Sequence, residues 1–195
     1  MKRLAIFVSG GGTDMQSILD GISSGEINAQ VAFVLASKPG IFAIERAEKF
    51  GAKVEIFEKT KFESLEKMYD EVIKLLDKNK VDYIILAGYL TILSSNIIKA
   101  YRNKIINIHP SLIPKYCGDG MYGMRVHTAV IAGKEKESGC TVHFVDEGVD
   151  TGKIIAQEKV PVFEDDTPET LQKRVLEKEH ELLPKVVKML CEGDN

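Results

Sequence analysis

The sequence predicts an α/β fold: a doubly wound, mostly parallel twisted sheet flanked by helices, with its late strands partly antiparallel. Three observations predict it. Short runs of apolar and β-branched residues, bounded by turn residues, recur through the first half, as strands buried on both faces require. Segments of helical period separate them, a βαβαβαβ order whose right-handed crossovers put helices on both faces of the sheet. After about residue 135 the alternation gives way to two consecutive strands and one long helix.

The early strands are KRLAIFV (2–8), VAFVLA (31–36), KVEIF (53–57) and DYIILA (82–87), with helices expected at 14–24, 41–50 and 62–79. SSNIIKAY (94–101) reads as a fourth helix capped by Ser94 or Ser95, and KIINIH (104–109) as a fifth strand. The glycine-rich KYCGDGMYGMRV (115–126) is expected to be a mobile excursion. CTVHFV (140–145) and IIAQEKVPV (154–162) form the late strands, joined by an acidic turn. In the final helix Thr167 is the expected N-cap and Pro168 the first helical residue, while Glu169 puts negative charge at the positive end of the dipole. That helix is expected to reach about residue 191, with Pro184 kinking or restarting it.

A length of 195 residues suits one domain with a substantial core, spanning 1–195. Hydrophobic residues make up 44% and charged residues 28%, and no apolar run is long enough to cross a bilayer. The protein is therefore expected to be soluble, with no membrane partner. The opening MKRLAIFVSGGG resembles a secretory signal only in outline, because its apolar part is short and no small-x-small cleavage pattern follows. Lys and Arg total 26 against 29 Asp and Glu, and a net charge of −3 supplies no field for nucleic acid. An anionic ligand then needs a local binding device. Cys117, Cys140 and Cys191 lie far apart without a CxxC, which points to no disulfide framework, no zinc site and a reducing cytoplasm.

The local device is SGGGTDMQS (9–17), between the first strand and the first helix. Glycines let backbone approach a ligand, and free N–H groups at a helix start can cradle phosphate or carboxylate. It is neither a dinucleotide fingerprint, since Met15 stands where the third glycine belongs, nor a P-loop, since Gly-Lys-Ser/Thr is missing. A second constellation lies in NIHPSLIP (107–114). Strand alternation sends Asn107 and His109 to one side and Ile106 and Ile108 to the other, and Pro110 ends the pairing. An amide and an imidazole thus meet at the carboxyl end of a strand, where open α/β sheets form their crevice. His127 and His143 have weaker claims, and His180 reads as a surface or packing residue. The turn DEGVDTG (146–152) carries Asp146, Glu147 and Asp150; a carboxylate near His109 would favour the imidazolium and raise its pKa.

SGGGTD, LAGYLTILS (86–94), NIHPSLIPKY (107–116) and VHFVDEGVDTGKIIAQEKVPV (142–162) together resemble the phosphoribosylglycinamide formyltransferases over essentially the whole chain. The resemblance implies the formyltransferase fold, a Rossmann-like sheet, and the catalytic set Asn107, His109 and Asp150. It assigns substrate phosphate to Gly12, Thr13 and Asp14, and a ribonucleotide contact to Glu179. It assigns the folate pterin to Leu90, Thr91, Ile92 and Leu93, with Asn107, Asp146, Glu147, Gly148 and Val149. Three departures stand out: Asp14 replaces a common Asn, Thr91 replaces a common Arg, and CGDGMYGMR is longer than the usual Pro-Gly link.

The implied reaction passes the formyl group of 10-formyltetrahydrofolate to the amine of phosphoribosylglycinamide, a step of de novo purine synthesis in the cytoplasm, with no metal. The N-terminal half would hold the ribonucleotide phosphate, and the C-terminal half folate and the catalytic groups. Asn107 and a protonated His109 would stabilise the oxyanion, with Asp150 keeping the imidazole charged. Oligomeric state stays open between monomer and homodimer. Two alternatives share the motifs: a formyltetrahydrofolate hydrolase, and a non-catalytic phosphate- or nucleotide-binding domain. A methionyl-tRNA formyltransferase would call for a basic RNA-binding domain beyond the catalytic one.

Overall fold

The computed structural model describes residues 1–193; Asp194 and Asn195, the end of the expected domain span, lie outside the described residues. Seven strands form one sheet: β1 (Lys2–Val8), β2 (Ala29–Ala36), β3 (Val54–Ile56), β4 (Tyr83–Leu86), β5 (Ile105–His109), β6 (Glu137–Phe144) and β7 (Ile154–Pro161). Their order is β3-β2-β1-β4-β5-β6-β7, with β1 to β5 parallel and both β5–β6 and β6–β7 antiparallel. The strand order reverses between β1 and β4, and an open α/β sheet forms its ligand crevice beyond the strand ends at such a point.

The alternation along β1 explains why that strand reads as apolar throughout. Leu4, Ile6 and Val8 enter one core and Ala5 and Phe7 the other. The first core is shared with helices α1 (Thr13–Ser23), α2 (Phe42–Phe50), α5 (Met124–Ala132) and α6 (Pro168–Glu192). The second is shared with α3 (Leu65–Lys78) and α4 (Ser95–Ala100). Truncating a fully buried side chain such as Phe7 to Ala would cost about 3–5 kcal/mol. Among the described residues no helix is long and apolar enough to cross a membrane.

The structure corrects four local expectations. Helix α3 starts at Leu65 rather than 62 because Ser64 accepts a hydrogen bond from Lys67 N at 3.2 Å, and Lys59–Lys61 form a separate 3-10 turn. At α4, Ser94 occupies the N-cap position without capping through its side chain. Instead Asn96 Oδ1 accepts from Ile97 N at 3.0 Å and from the Ser94 hydroxyl. Residues 124–132, left without an element in the sequence reading, form α5, so the excursion after 115 is a loop that runs directly into a helix. Of the two outcomes expected at Pro184, a kink or a restart, the restart is not seen: α6 continues through it. Leu182 and Leu183 before it and Val186 and Val187 after it are buried, and their packing outweighs the roughly 3 kcal/mol that an interior proline costs.

The expected start of α6 is borne out. The Thr167 side chain accepts from Thr170 N, while the Thr170 hydroxyl accepts from Thr167 N at 2.9 Å. Ile113–Pro114, in the loop after β5, is a cis peptide.

Candidate functional site

The carboxyl ends of β1, β4 and β5 open into one cavity of about 540 Å³, within the range typical of small-molecule sites. One end is built by the glycine loop after β1. Gly12 is the N-cap of α1 at φ 74, and a Cβ there would lie 2.7 Å from Ala43 Cβ, so only glycine lets α1 and α2 meet this closely. No side chain caps α1, which leaves the first-turn N–H groups at Thr13 and Asp14 without intrahelical partners. The loop is tied down from behind: Ala43 N donates to Gly10 O at 3.2 Å and Arg46 Nε to Gly11 O at 2.9 Å. Ser9 Oγ accepts from Leu90 N at 2.9 Å, joining this loop to the segment after β4.

A second part of the wall is largely apolar. Leu90, Thr91, Ile92 and Leu93 line it together with Ile98, Val145, Asp146, Glu147, Gly148 and Val149. Leu90 and Ile92 are 60% and 61% exposed, an arrangement that leaves apolar surface for a flat ligand to cover. Asp146 shapes the turn, accepting from Gly148 N at 3.1 Å and from the Thr151 hydroxyl at 2.6 Å.

Asn107, His109 and Asp150 line the same cavity. His109 Nδ1 lies 3.5 Å from Asp150 Oδ2, and His109 Nε2 donates to Tyr116 O at 2.9 Å. Asp150 adopts φ 57, a left-handed conformation that aspartate tolerates better than most side chains, and its Oδ2 accepts from Gly118 N at 3.0 Å. The long glycine loop therefore fastens the carboxylate in place, and Gly118, Asp119, Gly120, Met121, Tyr122 and Gly123 form part of the cavity wall.

His143, given little weight in the sequence, belongs to this group. Antiparallel pairing sets it directly opposite Asn107. Its Nδ1 donates to Phe144 O at 2.8 Å, leaving Nε2 to accept from Asn107 Nδ2 at 3.2 Å. The same Nε2 is 3.6 Å from Asp150 Oδ1. Only the β5–β6 register could have revealed this contact. His127 also lines the cavity, buried on α5, and burial together with the charge of His109 pushes its pKa down to about 4.

The electrostatics correct one expectation. Burial depresses the His109 pKa below its ordinary value, and it outweighs the opposing pulls of the Tyr116 carbonyl and Asp150. The imidazole is therefore neutral in the free protein near pH 7, not held as an imidazolium. For Asp150 burial opposes ionisation, yet His143, His109 and the Gly118 N–H together hold the carboxyl below the usual range.

Glu179 is no ordinary exposed helix residue: it is 7% exposed and lines the glycine-loop end beside Gln172 and Leu176. Burial and the charge of Asp14 raise its pKa well above the carboxylate norm. His180, read as a surface or packing residue, has Nε2 3.6 Å from Asp14 Oδ1. Every residue the sequence singled out for the site lines this one cavity. Among the described residues no group of three or more His, Cys, Asp or Glu is arranged to hold a metal ion.

Comparison with known proteins shows the family and the fold. The formyl transferase family profile matches residues 2–187. A chloroplastic phosphoribosylglycinamide formyltransferase of Arabidopsis thaliana is 42% identical over 98% of this chain and 66% of its own length. The phosphoribosylglycinamide formyltransferase of Bacillus subtilis is 38% identical over 100% of this chain and 97% of its own. The crystal structure of glycinamide ribonucleotide transformylase 1 from Symbiobacterium toebii superposes with a TM-score of 0.93 at 36% identity, covering 99% of this chain and 89% of that one. The chain thus spans just under two thirds of the plant relative and nearly all of the bacterial one.

Proposed function

Because the chain belongs to the formyl transferase family, we propose that it transfers the formyl group of 10-formyltetrahydrofolate to the amine of phosphoribosylglycinamide, a step of de novo purine biosynthesis. The observation that carries this reading is the meeting of Asn107, His109 and Asp150 in one cavity with a backbone anion cradle and an apolar slot. The two ends match the two substrates in chemistry. Free N–H groups at the start of α1 suit a phosphate. The slot formed by Leu90–Leu93 and the 145–149 turn suits a planar heterocycle whose polar edge can meet backbone. The N-terminal half then supplies the phosphate cradle and the Leu90–Leu93 side of the slot, and the C-terminal half the 145–149 turn, Glu179 and the catalytic groups.

The folate donor supplies a formyl carbon bonded to nitrogen; the chain's part is to hold its oxygen and to move one proton. Asn107 Nδ2 has a second N–H beyond the one given to His143, and in this reading that donor serves the oxygen on which negative charge develops. Preorganised donors of this kind are worth about 10²–10³ in turnover. His109 starts neutral, with its Nε2 proton held on the Tyr116 carbonyl, so Nδ1 takes the proton shed by the attacking amine. The resulting imidazolium is stabilised by Asp150 and returns the proton to the departing folate nitrogen. Asp150 thus stabilises the charged imidazole when it forms rather than keeping it charged throughout.

Free Cys117, Cys140 and Cys191 fit a reducing cytoplasm as the working compartment. The test is an assay supplying both substrates and following formylated ribonucleotide and free formate. Product formed only when both are present sustains the proposal. Formate released at a similar rate without the ribonucleotide identifies a hydrolase, and binding without turnover a sensor; either outcome sinks it.

A further inference from the structure

We infer that Asp14, Glu179 and His180 form a buried proton-accepting cluster beneath the glycine loop, so that a phosphate-bearing substrate binds together with a proton. The inference rests on the proposed activity only for the identity of that substrate.

The cavity wall poses an electrostatic problem. Among the described residues six carboxyl side chains line it, Asp14, Asp119, Asp146, Glu147, Asp150 and Glu179, and no lysine or arginine. A dianionic phosphate at the start of α1 would meet Asp14 in the same turn and Glu179 from α6, and backbone N–H groups alone would have to offset both. The guanidinium nearest the loop belongs to Arg46, on α2, and it is already engaged with Gly11 O at 2.9 Å and Gln16 Oε1 at 3.3 Å.

The geometry supplies the remedy. Asp14 Oδ1 and His180 Nε2 face each other at 3.6 Å, both atoms buried and neither with a hydrogen-bond partner among the described residues. Such orphaned polar atoms are rare in folded proteins. At 3.6 Å the pair is just beyond hydrogen-bonding distance, and a proton placed between the two atoms would make them partners. Glu179, more than nine-tenths buried, has no hydrogen bond among the described residues and opens onto the same end of the cavity. One buried pair and one buried carboxyl thus await a proton where an anion is expected.

The remaining neighbours do not supply the missing positive charge. From β6, Cys140 is a thiol pushed up to about 12 by burial and Glu179, and so stays neutral. Gln172 and Leu176 on α6 are uncharged. Burial and Arg46 hold the His180 pKa below its ordinary value, so its ring is neutral near pH 7. Burial raises Asp14 to about 6, and burial with the charge of Asp14 raises Glu179 well above the carboxylate norm. An arriving dianion favours the protonated carboxyl further, so free protein, phosphate dianion and one solvent proton give a complex carrying that proton. The sign follows: groups whose pKa rises on binding take up protons, and affinity falls as pH increases through the window between their free and bound values.

Titration calorimetry of the full chain in buffers of different protonation heat, between pH 7.0 and 8.5, measures this directly, with phosphoribosylglycinamide and ribose 5-phosphate as separate probes. Above pH 7 the phosphate itself is essentially dianionic, its second pKa lying near 6. Uptake approaching one proton per phosphate is expected near pH 7.5, with Kd rising roughly five- to tenfold per pH unit. Asp14→Asn should remove most of the uptake, flatten the pH dependence and tighten ribose 5-phosphate binding about tenfold at pH 8.5. Uptake near zero in the unaltered chain, undiminished uptake in Asp14→Asn, or failure of both probes to bind would overturn the inference. Proton-linked binding of ribose 5-phosphate, with no formyl transfer to the ribonucleotide, would sustain it while refuting the proposed activity.

Discussion

Asp150 holds its Oδ2 at 3.5 Å from Nδ1 of His109, although the two residues sit on different segments, one ending β5 and the other closing the β6–β7 connection. The contact is assembled by neighbours: the Gly118 N–H fixes the carboxylate, and the Tyr116 carbonyl fixes the far side of the imidazole. Both anchors come from the long loop after Pro114, so this loop organises the pair as well as walling the cavity.

Asp150→Asn removes the charge that stabilises the imidazolium while keeping the size of the side chain. Formyl transfer should fall by about 10²-fold or more, within the span assigned to acid–base catalysis, with little change in melting temperature. The pH profile gives a second readout. A neutral His109 is required, so kcat/KM should decline as pH falls through a pKa below 6.5. Asp150 raises that pKa, so the acid limb of the variant should move to still lower pH. A limb left in place, with near-normal turnover, would remove Asp150 from the mechanism.

His143→Ala leaves Asn107 without the acceptor that orients its amide. The expected outcome is a fall in kcat of about tenfold to a hundredfold, the scale of a lost orienting contact, with the ribonucleotide KM nearly unchanged. Steady-state kinetics with each substrate varied in turn checks this. A change confined to KM would make His143 a binding residue instead.

Ile92→Ala tests the apolar slot. Covering this exposed side chain with a ligand contributes up to about 2 kcal/mol, so KM for the folate donor should rise roughly tenfold. The ribonucleotide KM should stay within about twofold, since the phosphate is assigned to backbone N–H groups at the start of α1 and not to this side chain. Equal effects on both would dissolve the division of the cavity into two ends.

Asp166 and Arg174 make a pair away from the site, on which stability depends. Arg174 Nη1 and Nη2 reach the two Asp166 oxygens at 2.7 and 2.8 Å, while Phe163 N and the Thr170 hydroxyl also donate to them. With its side chain only 4% exposed, Asp166 is held well below the usual carboxylate range, chiefly by Arg174. A depressed carboxyl contributes stability that is present above its unfolded pKa of about 3.9 and lost as pH falls toward the lower folded value. Asp166→Asn should cost about 1–2 kcal/mol at pH 7, with the loss shrinking below pH 4. Thermal melts across that range check it.

Much of this molecule was legible before folding was considered. The strands β1 to β5 appear as apolar runs because a sheet covered on both faces asks every residue to be buried, and the Thr167 cap appears because its pattern is local. Asn107 and His109 were readable as a pair because alternation along one strand is a local rule, and the family resemblance named Asp150. Helix α5 escaped because its apolar face follows a glycine loop without a helix-start signal. Glu179 was named by the family resemblance alone, and the approach of His180 to Asp14 had no local signal, because α6 exposes or buries a residue according to what packs against it.

What the sequence by itself determined is the alternation of strands and helices, the glycine turn opening α1 and the polar pair at the end of β5, all set by neighbours within a few positions. The tertiary structure alone decided that His143 faces Asn107, that Asp14 meets Glu179 and His180 across two helices, and that His109 is neutral. Register, helix packing and burial depend on residues far apart in the chain, and desolvation, which outweighs the carboxylate beside His109, exists only once the core has closed around it.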